Sequence, residues 1–155
     1  MRRLLIVVIA LVGTSCSGAN SSDAGLTGTY TSDHEIRVFN GDEFVPETAT
    51  DRLALIERAD SLDVSLVLLF DNYHICEMHT RMSREGTGWV SILEPEFADE
   101  TTCTLQLEVG AEVLSLRDET GSCRRTYCGA RGVIDGATFD RSTRAPDTSW
   151  RDDLR

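Results

Sequence analysis

Apolar and polar residues alternate with a period of two over much of this chain, the spacing of half-buried strands. The pattern is clearest at residues 103–109, where Cys103, Leu105, Leu107 and Val109 fall on one face and Thr104, Gln106 and Glu108 on the other. Gly110-Ala111 turns the chain, and residues 113–117 return with Leu114 and Leu116 on one face, which predicts an antiparallel hairpin. Upstream, residues 64–70 (VSLVLLF) are an apolar run of strand length, Asp71-Asn72 is a turn signal, and residues 73–82 read as the partner strand. A turn at 84–88, a strand at 89–93 and a polar, proline-containing loop at 94–101 follow. Nearer the start, residues 26–31 and 36–39 predict two separate strands, the second closed by Asn40-Gly41-Asp42. Residues 42–51 carry Pro46 and many polar groups and read as a loop. Residues 52–62 fit a short helix capped at Thr50, or a strand at 53–57 with a turn at 59–61; the strands that follow favour the second. No long helical period occurs. The prediction is all-β, a small antiparallel β-barrel or sandwich, disulfide-stapled, over residues 27–139, with a polar C-terminal tail at 140–155 in which Trp150 is the one aromatic side chain.

The first residues break this pattern. Arg2 and Arg3 precede nine uninterrupted apolar residues, 4–12, then Gly13-Thr14-Ser15 and Cys16, the order of a secretory signal peptide. Nine to twelve residues rise about 14–18 Å as a helix, too little for a bilayer core of about 30 Å. Residues 1–15 are therefore expected to be removed, leaving Cys16 as a lipidated N-terminus; ordinary cleavage of residues 1–19 is the alternative. Residues 16–26 then form a lipidated start and a small, polar, flexible tether. Location is predicted as the cell envelope, exported, anchored by lipid and facing the periplasm, with no other membrane contact.

Composition changes the picture in two ways. The chain has 155 residues, 15 cations that are all Arg and 26 acids, a formal net charge of −11. Such a surface repels phosphates, so a nucleic-acid partner is excluded. Export also settles how to read the five cysteines. With Cys16 processed, Cys76, Cys103, Cys123 and Cys128 remain, and an oxidising compartment makes disulfides their default state. Four cysteines allow three pairings; spacing favours Cys123–Cys128, closing a small loop, and Cys76–Cys103, tying two predicted strands. A zinc site at Asp71, His74, Cys76 and His79 competes, but on a strand His79 points away from His74 and Cys76, and the usual ligand spacings are missing. No metal and no cofactor are expected. The chain holds no G-x-S-x-G, HExxH or P-loop, so no enzymatic role is predicted.

The candidate chemistry lies in residues 121–132, GSCRRTYCGARG. Arg124, Arg125 and Arg131 fall between Glu119 and Asp135 with no acid among them, in an otherwise acidic protein. Within a small disulfide loop, Arg124, Arg125 and Tyr127 form a rigid cationic and aromatic knob, made of residue types that dominate protein interfaces. Arg131, between two glycines, reads as more structural. The competing reading pairs these arginines with nearby acids such as Asp118 and Asp135.

Residues 123–139, CRRTYCGARGVIDGATF, resemble a C-terminal signature of small exported bacterial lipoproteins of the lysozyme-inhibitor kind. The tether, the Gly28-Thr29-Tyr30 start, the His74-x-Cys76 strand and Trp89 resemble them more loosely. The inhibitory loop motif of the membrane-bound C-type inhibitors has no residue-by-residue match here, so no inhibitory residue is carried over. The resemblance implies a β-barrel lipoprotein that plugs the cleft of a lysozyme, whose two carboxyl groups are natural partners for Arg124 or Arg125. The predicted function is thus a protein-binding module of the cell envelope, most concretely an inhibitor of a lysozyme-type cell-wall hydrolase. The alternatives are a small-ligand carrier using the barrel interior, and a structural envelope lipoprotein.

Overall fold

The computed structural model describes residues 25–94 and 101–146. The signal segment, Cys16, most of the tether and Trp150 lie outside the described residues. Eight strands follow one another as an antiparallel meander. They are β1 (Gly28–Phe39), β2 (Phe44–Glu57), β3 (Ser61–Phe70), β4 (His74–Glu85), β5 (Gly88–Leu93), β6 (Cys103–Val109), β7 (Val113–Arg117) and β8 (Thr138–Asp140). One short helix, α1 (Ser122–Tyr127), lies between β7 and β8.

The sheet curls into a nearly closed barrel. Beyond β8, Ala145 exchanges two backbone hydrogen bonds with Thr29 at 2.8 Å each, and the Thr31 N–H donates to Thr143 Oγ1. Residues 140–146, predicted as the start of a loose tail, therefore cover the free edge of β1 at Thr29 and Thr31, an edge that would otherwise invite pairing with another chain. Gly28 makes this approach possible, since a Cβ there would lie 2.7 Å from the Ala145 carbonyl oxygen.

The period of two sets the interior. Leu53 and Leu55, then Leu62, Val64, Leu66 and Leu68, then Met78 and Met82 are buried. Leu105, Leu107, Leu114, Leu116 and Phe139 continue the same core. The Tyr30 ring is fully buried, and its hydroxyl donates to the Leu26 carbonyl at 2.9 Å. Thr80 and Ser91 place hydroxyls 2.5 Å apart, so both satisfy each other across β4 and β5.

Two early predictions needed correction. The segment 26–31, from Gly28 on, and the segment 36–39 are parts of the single strand β1, and residues 44–51, predicted as loop, begin β2. The polar middle of this hairpin is held by side chains: Thr50 Oγ1 donates to Asp33, and His34 Nε2 lies 3.1 Å from Asp51. Pro46 is tolerated because its partner Arg37 aims its own N–H at Asp71, away from β2. That makes 37–46 a non-hydrogen-bonded pair, in which a proline loses no ladder bond. Residues 52–57 are strand, the preferred of the two readings.

An up-and-down barrel puts alternate connections at opposite ends. The β1–β2, β3–β4, β5–β6 and β7–β8 connections share one end, here called the cap. The chain enters at the other end, where the Leu26 N–H donates to Glu57 beside the β2–β3 turn.

On the barrel wall, Asp63 receives Arg81 Nε at 2.7 Å and Arg58 Nε at 2.6 Å. Burial pushes its carboxyl up, but the hydrogen bonds and charges of Arg81 and Arg58 outweigh this and lower its pKa. A depressed folded-state pKa gives stability that is present above the unfolded pKa and lost as pH falls through the folded one. D63N is expected to be less stable than the native chain at pH 7, with the difference vanishing in acid below the ordinary carboxylate range. Urea unfolding across pH checks this; a difference independent of pH contradicts it.

Candidate binding face

The cap is built around α1. Asp118, only 2% exposed, sits three residues before the helix N-cap, Gly121. Gly121 has φ 63°, a left-handed turn, and this brings the Asp118 carboxylate back over the first turn. Asp118 Oδ1 accepts the Cys123 N–H at 3.2 Å and Oδ2 accepts the Arg124 N–H at 2.8 Å. Asp118 thus does from a distance what an N-cap side chain does. Its own N–H donates to Asp135 Oδ1 at 3.0 Å.

Both cysteines of this segment are buried and disulfide-bonded, but not to each other. Cys128 pairs with Cys76 of β4 and Cys123 with Cys103 of β6, with Cα separations of 4.2 and 4.6 Å. The predicted pairs, Cys123–Cys128 and Cys76–Cys103, are overturned for two geometric reasons. Five helical residues turn about 140° beyond a full circle, so Cys123 and Cys128 face different sides. β4 and β6 are separated by β5, roughly 10 Å at normal strand spacing, too far for a direct bridge. Instead of closing a small loop, the two bridges staple α1 at both ends across the barrel.

This redistributes the predicted site. Arg124 folds back, with Nη2 donating to the Ala130 carbonyl at 3.2 Å while its Nε is buried without a hydrogen-bond partner. Tyr127 is half-buried against the core and is not displayed. Arg125 is exposed, holding only the Thr120 carbonyl and Thr101 Oγ1, both at 3.3 Å. Arg131, read as structural from sequence, is exposed and makes no hydrogen bond or ion pair with the described residues.

The acids proposed to neutralise this segment are committed elsewhere: Asp118 to α1 and Asp135 to the Asp118 N–H. Among the described residues, none of Arg124, Arg125 and Arg131 has an ion-pair partner. Of the other described arginines, Arg37, Arg58, Arg81, Arg84 and Arg117 do, while Arg52, Arg141 and Arg144 do not.

Beside this cationic segment lies a cleft of about 590 Å³. One wall is the β1–β2 arm, which bends across the cap until Arg37 and Phe39 donate their N–H groups to Asp71 and Asn72, both at 2.7 Å. Asp71 and Asn72 belong to the short 3-10 turn Asp71–Tyr73. The Arg37 backbone and side-chain hydrogen bonds together hold the Asp71 carboxyl below its usual range. Phe70 and Arg131 line the remaining side. Phe39, Phe44, Tyr73, Ile75 and Val133 are each about half exposed or more on the arm, the turn, β4 and the loop after α1. The sequence reading missed these. Their one local signal is the pair Phe39 and Phe44 flanking the turn at 40–43, whose rings meet at 5.4 Å.

The alternative metal set does not converge. His74 Nε2 donates to the Cys128 carbonyl at 2.5 Å, Cys76 is in a disulfide, Asp71 holds Arg37, and His79 lies against Ser65 and Glu77.

No family model, curated protein or solved structure matches this chain. The assignment of function therefore rests on the geometry of the cap and on the chemistry of its residues. The two disulfides suit an oxidising, exported location, and no helix among the described residues is long and apolar enough to cross a membrane.

Proposed function

We propose that this chain is a lipid-anchored protein of the cell envelope whose cap binds another protein, most concretely a lysozyme-type cell-wall hydrolase that it inhibits. The observation that carries this is a cationic segment left without acid partners among the described residues, held on a helix stapled at both ends. Leaving Arg125 and Arg131 exposed in a protein rich in acids preserves them for an outside carboxylate. A segment already rigid loses little conformational freedom on binding. The exposed aromatic and aliphatic side chains beside it supply the apolar part of an interface.

Lysozymes carry two carboxyl groups in their cleft, and Arg125, the more exposed of the two adjacent arginines, is the better placed to meet one. The acidic body steers the protein toward a basic enzyme. Entry of the chain at the opposite end of the barrel lets a lipid on Cys16 anchor the molecule while the cap points away from the membrane. A carrier needs an empty lumen, whereas Tyr30, Phe139 and the Leu and Met side chains of the core occupy this one.

The test is capture of the purified protein on immobilised lysozymes of several classes, with a bacterial lysis assay. The native protein is expected to slow lysis by at least one lysozyme class, and R124A/R125A to weaken this by about tenfold or more. R125A alone is expected to account for most of the loss. Absence of binding to every class overturns the lysozyme reading.

A further inference from the structure

We infer that the cleft between the β1–β2 arm and the loop after α1 receives an apolar side chain from a partner loop, and that Arg131 pairs with an aspartate or glutamate beside it. This rests on the reading of the cap as a protein-binding face and adds the chemistry of the partner.

The walls supply the first half. Ile36, Phe44 and Phe70 line the cleft, and Phe44 is 55% exposed, so an inserted apolar group removes aromatic surface from water. The charges already there are largely matched internally. Arg37 holds Asp71 at 3.2 Å, and His34 lies 3.1 Å from Asp51. Arg131 is the cation of the cleft with no partner among the described residues, and this selects a carboxylate. Glu35 lines the cleft from β1, also without an ion pair there, and repels acid from that wall. The carboxylate must therefore sit toward the α1 loop.

Arg131 is also well positioned to act. The next residue, Gly132, is buried; a Cβ there would meet the Phe70 ring at 3.2 Å and crowd Cys128 still more closely. The backbone beside Arg131 is thus pressed against both the cleft wall and the Cys76–Cys128 bridge. Its guanidinium extends from an anchored point, so pairing has to order the side chain but not the loop that carries it.

The experiment is an amide-shift titration of the ¹⁵N-labelled mature protein, disulfides intact, with two blocked peptides, acetyl-Gly-Leu-Asp-Gly-amide and its Asn analogue. Saturable shifts are expected at Ile36, Asn72 and Gly132 with Kd of about millimolar order. The Asn peptide is expected to bind about three- to fivefold more weakly, the scale of an exposed ion pair. R131Q should erase the difference between the peptides, and F44A should weaken both. No shifts at those amides, or equal affinities on the native protein, overturns the inference. Lysozyme capture reads Arg124 and Arg125 instead, so failure of the broader reading registers separately.

Discussion

Replacing Cys76 and Cys128 together by alanine is expected to destabilise the domain by about 4 kcal/mol, and Cys103 with Cys123 by about 3. The figures follow from the entropy that each bridge removes from the unfolded chain, with sequence separations of 52 and 20. The loops are nested, so the losses do not add in full. For a domain of this size, the larger loss lowers Tm by roughly 15–20 °C. A sharper contrast comes from C123A/C128A. Each residue belongs to a different bridge, so this double variant loses both and should approach the variant lacking all four cysteines. Had the two been joined to each other, it would lose one short loop, worth about 2 kcal/mol. Calorimetry on the three double variants decides between these outcomes.

Asp118→Ala is expected to cost about 3 kcal/mol. The carboxylate is buried and accepts two backbone N–H groups at the start of α1, so its removal leaves both donors unpaired in a site closed to water. Asp118→Asn retains one acceptor oxygen and should lose about half as much. Urea unfolding gives the free energies. Hydrogen exchange at the Cys123 and Arg124 amides supplies the local reading: both should lose protection in D118A while the core amides of β3 and β6 keep theirs at low denaturant. A loss under about 1 kcal/mol would mean that the disulfides alone hold the helix.

The barrel was legible because its cause is local. Cys103, Leu105 and Leu107 alternate with Thr104, Gln106 and Glu108, and one buried face per strand forces that pattern. The outer part of β1 and β2 was harder to read because only Ile36 and Ala49 are buried along it, and its strand character comes largely from pairing and from Asp71 and Asn72. α1 is too short to show a helical period; its existence depends on Asp118 and on two bridges to distant strands. An even number of cysteines can be counted in a sequence, but partners depend on which strands lie side by side. Residues 128–131 do form a turn, with Gly129 at φ 60°, but that Arg131 is left exposed was not legible. Gly132 has a different role: without a Cβ there, the backbone can pack against Phe70 and Cys128. The cationic stretch itself was visible at once, and what the fold added is that Asp118 and Asp135 accept backbone N–H groups instead of arginine side chains.

Display of Arg125 and Arg131 on a fixed platform depends on α1 being pinned at both ends, and the peptide map of the unreduced protein reads this directly. Trypsin cuts after Arg, and the arginines between Cys123 and Cys128 place the four cysteines on separate peptides: 59–81, 85–117, 118–124 and 126–131. The structure predicts that 59–81 is joined to 126–131 and that 85–117 is joined to 118–124. A species joining 118–124 to 126–131 would contradict it, returning the segment to a small closed loop.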